Sequence, residues 1–378
     1  MADSSPAPVT NGTAAPVATS PPAASPPGVT GTSAPPGNAA DEPEALEVAD
    51  PATDTDDDGS SIDDRISSYT ASITSSIADY PTEYGRRYHA FRPGSYLMPN
   101  DEDEMDRLDL THAMMLKLLD NRLYQAPLEK DKIQKILDIG TGTGIWAMEM
   151  GDLFPNAEVY GNDLSPIQPD WVPPNVKFEI DDVESPWLED RKYDFIFCRY
   201  MIGAIADWPK LVKSIYDNLN PGGWAEFVDM SAEYYSDDGT LREEHATHKW
   251  NKMLLGGIVK MGREGRPGPF LQGWVRDAGF ENMFHKKMKM PIGPWPKDRH
   301  HQELGWINLS QVLQGLEGFS MRVLTGVLDW TAEEVQVLLA QVRKELKNFH
   351  EFHSQFDVHV VYGQKPLEAE TQETTETA

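Results

Sequence analysis

Residues 135–146 read "KILDIGTGTGIW": a short apolar run, three glycines at alternate positions, then the opening of a helical pattern. An apolar run of this length that ends in glycine predicts a buried strand stopping in a tight turn. Gly140, Gly142 and Gly144 suit a backbone that must bend sharply and let a ligand approach without Cβ clashes. The helix beyond would add exposed N–H donors and a partial positive charge. Strand, glycine turn and helix together describe a nucleotide-binding unit. G-x-G-x-G by itself is shared by several nucleotide binders, and a plain structural turn stays open.

Outward from this unit the alternation continues. "AEVYGND" (157–163), "VKFEIDD" (176–182), "YDFIFCRY" (193–200) and "GGWAEFVDM" (222–230) read as strands, and "WPKLVKSIYDNL" (208–219) as a helix. Strands alternating with helices imply a parallel sheet covered on both faces. Upstream, "DLTHAMMLKLLD" (109–120) has helical spacing; downstream, 241–261 is helix-rich and interrupts the alternation. Then "PFLQGWVRDAGF" (269–280) reads as helix, "FHKKMKM" (284–290) as strand, 303–350 as mostly helix and "FDVHVVYG" (356–363) as a last strand. The final two strands are expected to pair as an antiparallel edge.

The ends of the chain differ from this core. The first 64 residues hold twelve Asp and Glu, eleven Pro and no Lys or Arg, a composition that predicts disorder. They show neither the basic start and apolar core of a secretory signal nor the basic character of a transit peptide. A second soft tail begins near Glu368. Twelve of the chain's 28 excess negative charges lie in the N-terminal tail, and the remainder argue against non-specific nucleic-acid or anionic-lipid binding. The single cysteine, Cys198, excludes an intramolecular disulfide and favours a reducing intracellular setting, and no apolar run is long enough to span a membrane.

Three carboxylate positions sharpen the ligand. Asp138 lies at the end of the first strand, two residues before Gly140, where it would repel a pyrophosphate and suit a ligand carrying an amine. Asp163, nineteen residues beyond Gly144 and at the end of the next strand, is placed to accept hydrogen bonds from ribose hydroxyls. Asp181 and Asp182 follow the third strand, where a carboxylate meets an adenine amino group. No G-x-x-x-x-G-K-[ST] phosphate loop is present. Adenine, ribose and an ammonium-bearing tail describe S-adenosyl-L-methionine better than NAD or ATP. Between Asp163 and Asp182, "SPIQPDWVPPN" (165–175) carries four prolines, whose stiffness would hold the adenosine edge of the pocket.

On these residues the chain resembles the class I S-adenosylmethionine-dependent methyltransferases, and more narrowly the fungal LaeA-like methyltransferases. The similarity runs from about Ser95 to Pro366, close to three-quarters of the chain. It is carried by "SYLMPNDEDEMDRLDLTH" (95–112), "LDIGTGTGIWAMEM" (137–150), "NDLSPIQPDWVPPNVKFEIDDVESPW" (162–187), "YDFIFCRYMIGAIADWPKL" (193–211), "NLNPGGWAEFVDM" (218–230) and "VYGQKP" (361–366). The glycine motif belongs to the whole class, whereas the proline-rich stretch with its "DDVESPW" ending is restricted to the narrower family.

The resemblance implies a doubly wound, mostly parallel seven-stranded α/β sheet, Rossmann-like, with an antiparallel edge strand and helical insertions. It implies a disordered tail at 1–75, a methyltransferase domain at 76–366 with a lid at 86–125 and insertions near 231–262 and 295–350, and a tail at 367–378. The methionine end of the cofactor would lie against Asp138 and the loop of Gly140, Thr141, Gly142 and Gly144. Asp163 and Leu164 would meet the ribose, and Asp181, Asp182 and the backbone of Val183 the adenine. Arg199 would line the pocket near the methyl group. Tyr96, Arg107 and His112 fall in the lid, where a helix packed with its polar face in water is equally open. No catalytic residue is assigned and no metal is expected, since the histidines also read as packing or surface residues. Trp250, Met253, Met261, Trp274, Trp295, Trp306 and Met321 could line an acceptor pocket, although core packing explains aromatic and Met residues at helical spacing more often. "CRYMIG" after the fourth strand departs from the Asn/Asp-Pro-Pro-aromatic motif of many amino-group methyltransferases.

Three functions follow: a methyltransferase regulating secondary metabolism and development within protein complexes, in cytoplasm or nucleus; a biosynthetic enzyme methylating oxygen, nitrogen or carbon of a metabolite; or a non-catalytic module that keeps the cofactor as a structural ligand.

Overall fold

A computed structural model of the chain describes residues 80–92, 96–187 and 190–367. The tails expected at 1–75 and, past Leu367, at the C-terminus lie outside the described residues. A small hairpin of β1 (Thr82–Glu83) and β2 (Arg86–Arg87) precedes the first helix, α1 (Glu102–Leu118). Asp101 joins the two. Its carboxylate accepts from Glu104 N at 3.1 Å as the helix N-cap while accepting from Arg86 Nε and Nη2 at 2.6 and 2.7 Å.

The sheet begins with β3 (Lys135–Ile139), which leads through the glycine turn into α2 (Ile145–Leu153). Then follow β4 (Glu158–Asp163), β5 (Val176–Ile180), β6 (Tyr193–Arg199), α3 (Trp208–Asn218) and β7 (Leu219–Met230). The chain continues through α4 (Ala246–Lys260), α5 (Gly268–Asp277), β8 (Glu281–Ile292), α6 (Arg299–Gly326), α7 (Ala332–Lys347) and β9 (Ser354–Gln364). Seven strands form one sheet in the order β5-β4-β3-β6-β7-β9-β8. The first five run parallel; β9 is antiparallel to both of its neighbours, so the expected antiparallel pair is β8 with β9, and the reversed strand lies inside the sheet's edge.

The central strands are apolar on both faces because both faces are covered. Along β6, Phe195 and Phe197 enter the core on one face of the sheet, and Ile196 and Cys198 the core on the other. The first core is held by Trp146 of α2, stacked on Phe197 with ring centroids 4.1 Å apart and donating Nε1–H to the carbonyl of Leu123 at 2.8 Å. In the second, Leu211, Val212 and Ile215 of α3 pack with Leu271 and Val275 of α5. The long helix α6 packs on α1, α4, α7 and β8, and so ties the helical insertions to the sheet. A capping box at Thr331 and Glu334 opens α7.

Trp146 therefore fills the centre of the larger core. Trp146→Ala is expected to lower stability by about 3–5 kcal/mol, measured by chemical denaturation, because a large cavity opens and the Leu123 carbonyl loses its donor.

Candidate functional site

The carboxyl ends of β3, β4, β5 and β6 open into a cleft, and the glycine turn forms its floor. Gly140 has φ 66°, and a side chain there would collide with Met201 Sδ. Gly142 has φ 59°; its N–H donates to Asp163 Oδ2 at 2.9 Å and its carbonyl accepts from Gln168 Nε2 at 2.6 Å. The other oxygen of Asp163 accepts from Ser165 N at 3.0 Å. One carboxylate thus fastens the turn after β3 to the turn after β4, and Gln168 fastens the proline-rich loop to the same glycine. From the opposite side, Asp109 of α1 accepts from Thr143 Oγ1 at 2.7 Å, and Asn100 Nδ2 donates to Ser165 Oγ at 3.2 Å.

Gly140, Thr141, Gly142, Asp163, Leu164, Asp181, Asp182, Val183 and Arg199 all line this one cleft. Asp138 and Gly144 do not. Asp138 lies beneath the turn, 4% exposed, where its Oδ2 accepts from Thr141 Oγ1 at 2.6 Å. Burial raises its carboxyl to about 7, against the Thr141 hydrogen bond and the Arg199 charge. Gly144 is the N-cap of α2 and is packed against Phe178. Asp181 and Asp182 shape the turn after β5. Asp181 Oδ1 accepts from Asp182 N at 2.8 Å, and Asp182 accepts from Glu184 N at 3.0 Å and Ser185 Oγ at 3.1 Å.

At the other end of the cleft, Arg199 Nη2 donates to His112 Nδ1 at 3.0 Å. His112 Nε2 consequently carries the proton and donates to Glu149 Oε2 at 3.1 Å. Burial, and secondarily Arg199, push His112 down to about 3, so the ring is neutral with both nitrogens engaged. It positions Arg199 and leaves no nitrogen for proton abstraction. Behind them Asp229 accepts from Met201 N at 2.7 Å, fixing the loop that follows β6.

Sequence reasoning missed Asn100, Leu108, Asn162, Ile167, Tyr200, Met201 and Glu184, which also line the cleft. Neither Met201 nor Tyr200 had a signal in residue type; the room that Gly140 leaves for Met201 shows only in the structure. Of the seven residues expected around an acceptor pocket, only Trp250 lines the second cavity, which adjoins the cleft. Trp274 stacks on Trp208 at 5.5 Å, Met321 is buried in the larger core, and Trp306 is 52% exposed.

The proline-rich loop reaches the glycine turn through Gln168, so its stiffness bears on the cleft. Pro173→Gly with Pro174→Gly is expected to weaken S-adenosyl-L-methionine binding about 3- to 10-fold in a calorimetric titration, since each proline removes loop freedom worth about 0.4–1 kcal/mol. Unchanged affinity would mean that Gln168 alone holds the loop.

The chain is similar to known methyltransferases over most of its length. A methyltransferase-domain family model matches residues 110–283. Methyltransferase pytC of Aspergillus terreus is 43% identical over 329 residues, covering 87% of this chain and 98% of its own length. Secondary metabolism regulator LAE1 of Cochliobolus heterostrophus is 37% identical over 295 residues, covering 75% of this chain and 94% of its own. Protein-methionine methyltransferase laeA of Emericella nidulans is 34% identical over 289 residues, covering 75% and 76%. The chain belongs to the fungal LaeA-like class I S-adenosylmethionine-dependent methyltransferases.

Proposed function

We propose that this methyltransferase acts in fungal secondary metabolism as a LaeA-like regulator, in protein complexes in the cytoplasm or nucleus. Support for the regulatory part comes from the names of relatives such as secondary metabolism regulator LAE1. Among the described residues no helix is long and apolar enough to cross a membrane. A second reading, methylation of a single biosynthetic intermediate, is favoured by the apolar cavity beside the cleft and by the relative named only as methyltransferase pytC.

The observation that carries the methyltransferase assignment is the charge of the cleft. Five carboxylates line it, those of Glu104, Asp163, Asp181, Asp182 and Glu184. Glu104 pairs with Arg107, Asp182 with Arg92 and Glu184 with Arg263, whereas Asp163 and Asp181 accept from backbone N–H groups and share the cleft with the guanidinium of Arg199. Carboxylates at the ends of β4 and β5, with no lysine in the lining, fit a nucleoside better than a pyrophosphate, so the residues present fit S-adenosyl-L-methionine, the cofactor of the family. When bound, it supplies an activated methyl group on a sulfonium centre.

Around it, Asp163 would accept from the ribose hydroxyls with the lone pairs that Gly142 and Ser165 leave. Asp181, Asp182 and the backbone of Val183 would face adenine. The buried carboxylate of Asp138 would act through Thr141 on the methionine end. Arg199, steadied by His112, stands at the reacting end, and α1 with the segment before it covers the cleft. The protein's work is alignment and exclusion of water. With His112 doubly engaged, an acceptor that must lose a proton passes it to water or to a group of its own.

Titration with S-adenosyl-L-methionine is expected to show one site per chain. Gly142→Arg and Asp163→Ala should each weaken it by about ten-fold or more; wild-type affinity in both would sink the assignment. Burial raises the Asp163 carboxyl to about 6 and that of Asp138 to about 7. Both are charged above those values and neutral below them. Cofactor affinity is therefore expected to fall as pH drops from about 8 to about 5. In the native fungus, replacement by the Gly142→Arg chain separates the two roles. Loss of transcripts from several metabolite clusters supports regulation, and accumulation of one unmethylated intermediate supports the biosynthetic reading.

A further inference from the structure

The second cavity shares two wall residues with the cofactor cleft, Tyr96 and Tyr200. The rest of its wall comes from the segment before α1, α1, the loop after β6, the end of β7 and the segment after it, α4, α6 and β9. Six aromatic residues line it, Tyr96, Tyr200, Tyr234, Trp250, Phe319 and Phe356, with Met98, Met230 and Leu254 among them.

Two features mark it as a site. The first is backbone conformation. Eight non-glycine residues among those described have positive φ, and six of them are exposed. The two that are not, Tyr200 at φ 61° and Ala232 at φ 45°, both line this cavity. Ordinary residues are held in that region only where the surroundings over-determine it, and such positions gather at ligand sites.

The second is charge. Arg107 and Glu104 are each about 1% exposed and pair through both guanidinium edge nitrogens at 2.9 and 2.6 Å. Thr111 and Gln311 take the remaining Nη1 donors at 3.2 and 3.1 Å. Gly315 of α6 makes room for the stem of Arg107, since a Cβ there would lie 2.8 Å from Arg107 Cδ. The amide of Asn251 is spent on the framework, accepting from Tyr234 N and donating to Ala232 O at 2.9 Å each. Burial pushes the phenols of Tyr96, Tyr200 and Tyr234 up, so all three stay neutral. The one charged side chain of the wall, Arg107, is thus paired with Glu104, and the rest of the wall offers aromatic faces, phenol groups and apolar side chains. A charged guest would lose its hydration and find no counter-ion.

We propose that this cavity is the methyl-acceptor site and that its acceptor is an uncharged, largely apolar aromatic small molecule, presented to the cofactor cleft between Tyr96 and Tyr200. The aromatic walls supply the stacking surface such a guest needs. The reaction rests on the methyltransferase reading; the site and its guest do not. In the transfer, an electron pair of the acceptor atom forms the bond to the methyl carbon as the carbon–sulfur bond breaks toward sulfur. A proton carried by the acceptor atom is released to water.

The test uses the full chain saturated with S-adenosyl-L-homocysteine and titrated calorimetrically with 2-naphthol, and separately with 2-naphthoate, the same rings bearing a charge. Saturable binding of one 2-naphthol per chain is expected, with 2-naphthoate about ten-fold weaker or more. Leu254→Trp fills the cavity and Phe319→Ala removes one ring; each should weaken 2-naphthol by at least several-fold and leave S-adenosyl-L-homocysteine affinity unchanged. No saturable 2-naphthol binding, equal affinity for 2-naphthoate, or wild-type 2-naphthol affinity in both variants would overturn the proposal. A chain that binds 2-naphthol here but not S-adenosyl-L-methionine would uphold the site and overturn the methyltransferase reading instead.

Discussion

Two N–H groups from two different turns, those of Gly142 and Ser165, converge on the carboxylate of Asp163. The rest of the cleft depends on that convergence. Asp163 acts together with Asn162, whose carbonyl accepts from Thr141 N at 2.9 Å and whose Oδ1 accepts from Gly140 N at 3.4 Å, so the turn after β3 is tied to the end of β4 by more than the strand ladder. With the two turns locked, Gln168 can grip the Gly142 carbonyl, Asn100 can reach Ser165, and Asp109 can reach Thr143. A carboxylate that looks from its position like a ligand-binding group is also a clasp between two turns.

The opposite end of the cleft is organised on another principle. Arg199 is held by a neutral imidazole and not by a carboxylate, although Asp138, Glu149 and Glu226 all act on its charge. Glu226 is committed elsewhere, accepting from the backbone N–H groups of Gln125 and Ala126 at 2.7 Å each. Burying so many ionisable groups at the strand ends costs folding energy that the aromatic core must offset. The stacked pair of Trp146 and Phe197 lies directly along β6 from Arg199.

Much of this was legible in the chain's letters. The alternation of apolar runs and helical periods gives the parallel sheet, and the glycine spacing with Asp163, Asp181 and Asp182 places the cleft. The exceptions have physical causes. Asp138 sits under the turn because Thr141, three residues on, brings its hydroxyl back onto the carboxylate, a contact that depends on the turn's shape and not on spacing. The left-handed backbone of Tyr200 and Ala232 leaves no mark in residue type, since neither is glycine or asparagine. For the aromatic residues of the helices, periodicity says that one face is buried but not what buries it. Trp250 meets a cavity and Trp274 meets Trp208 because of how α4 and α5 cross their neighbours.

The placement of β9 bears on how the molecule is made. It lies between β7 and β8, yet it is the last of the seven strands in the chain. During synthesis β8 has no neighbour to bond to until residues 354–364 leave the ribosome, and the inner edge of β7 stays open for the same interval. Two unpaired edges on a nascent chain invite wrong partners. A chain stopped just before Ser354 would therefore keep the whole glycine turn and every cleft residue, yet carry a sheet split in two.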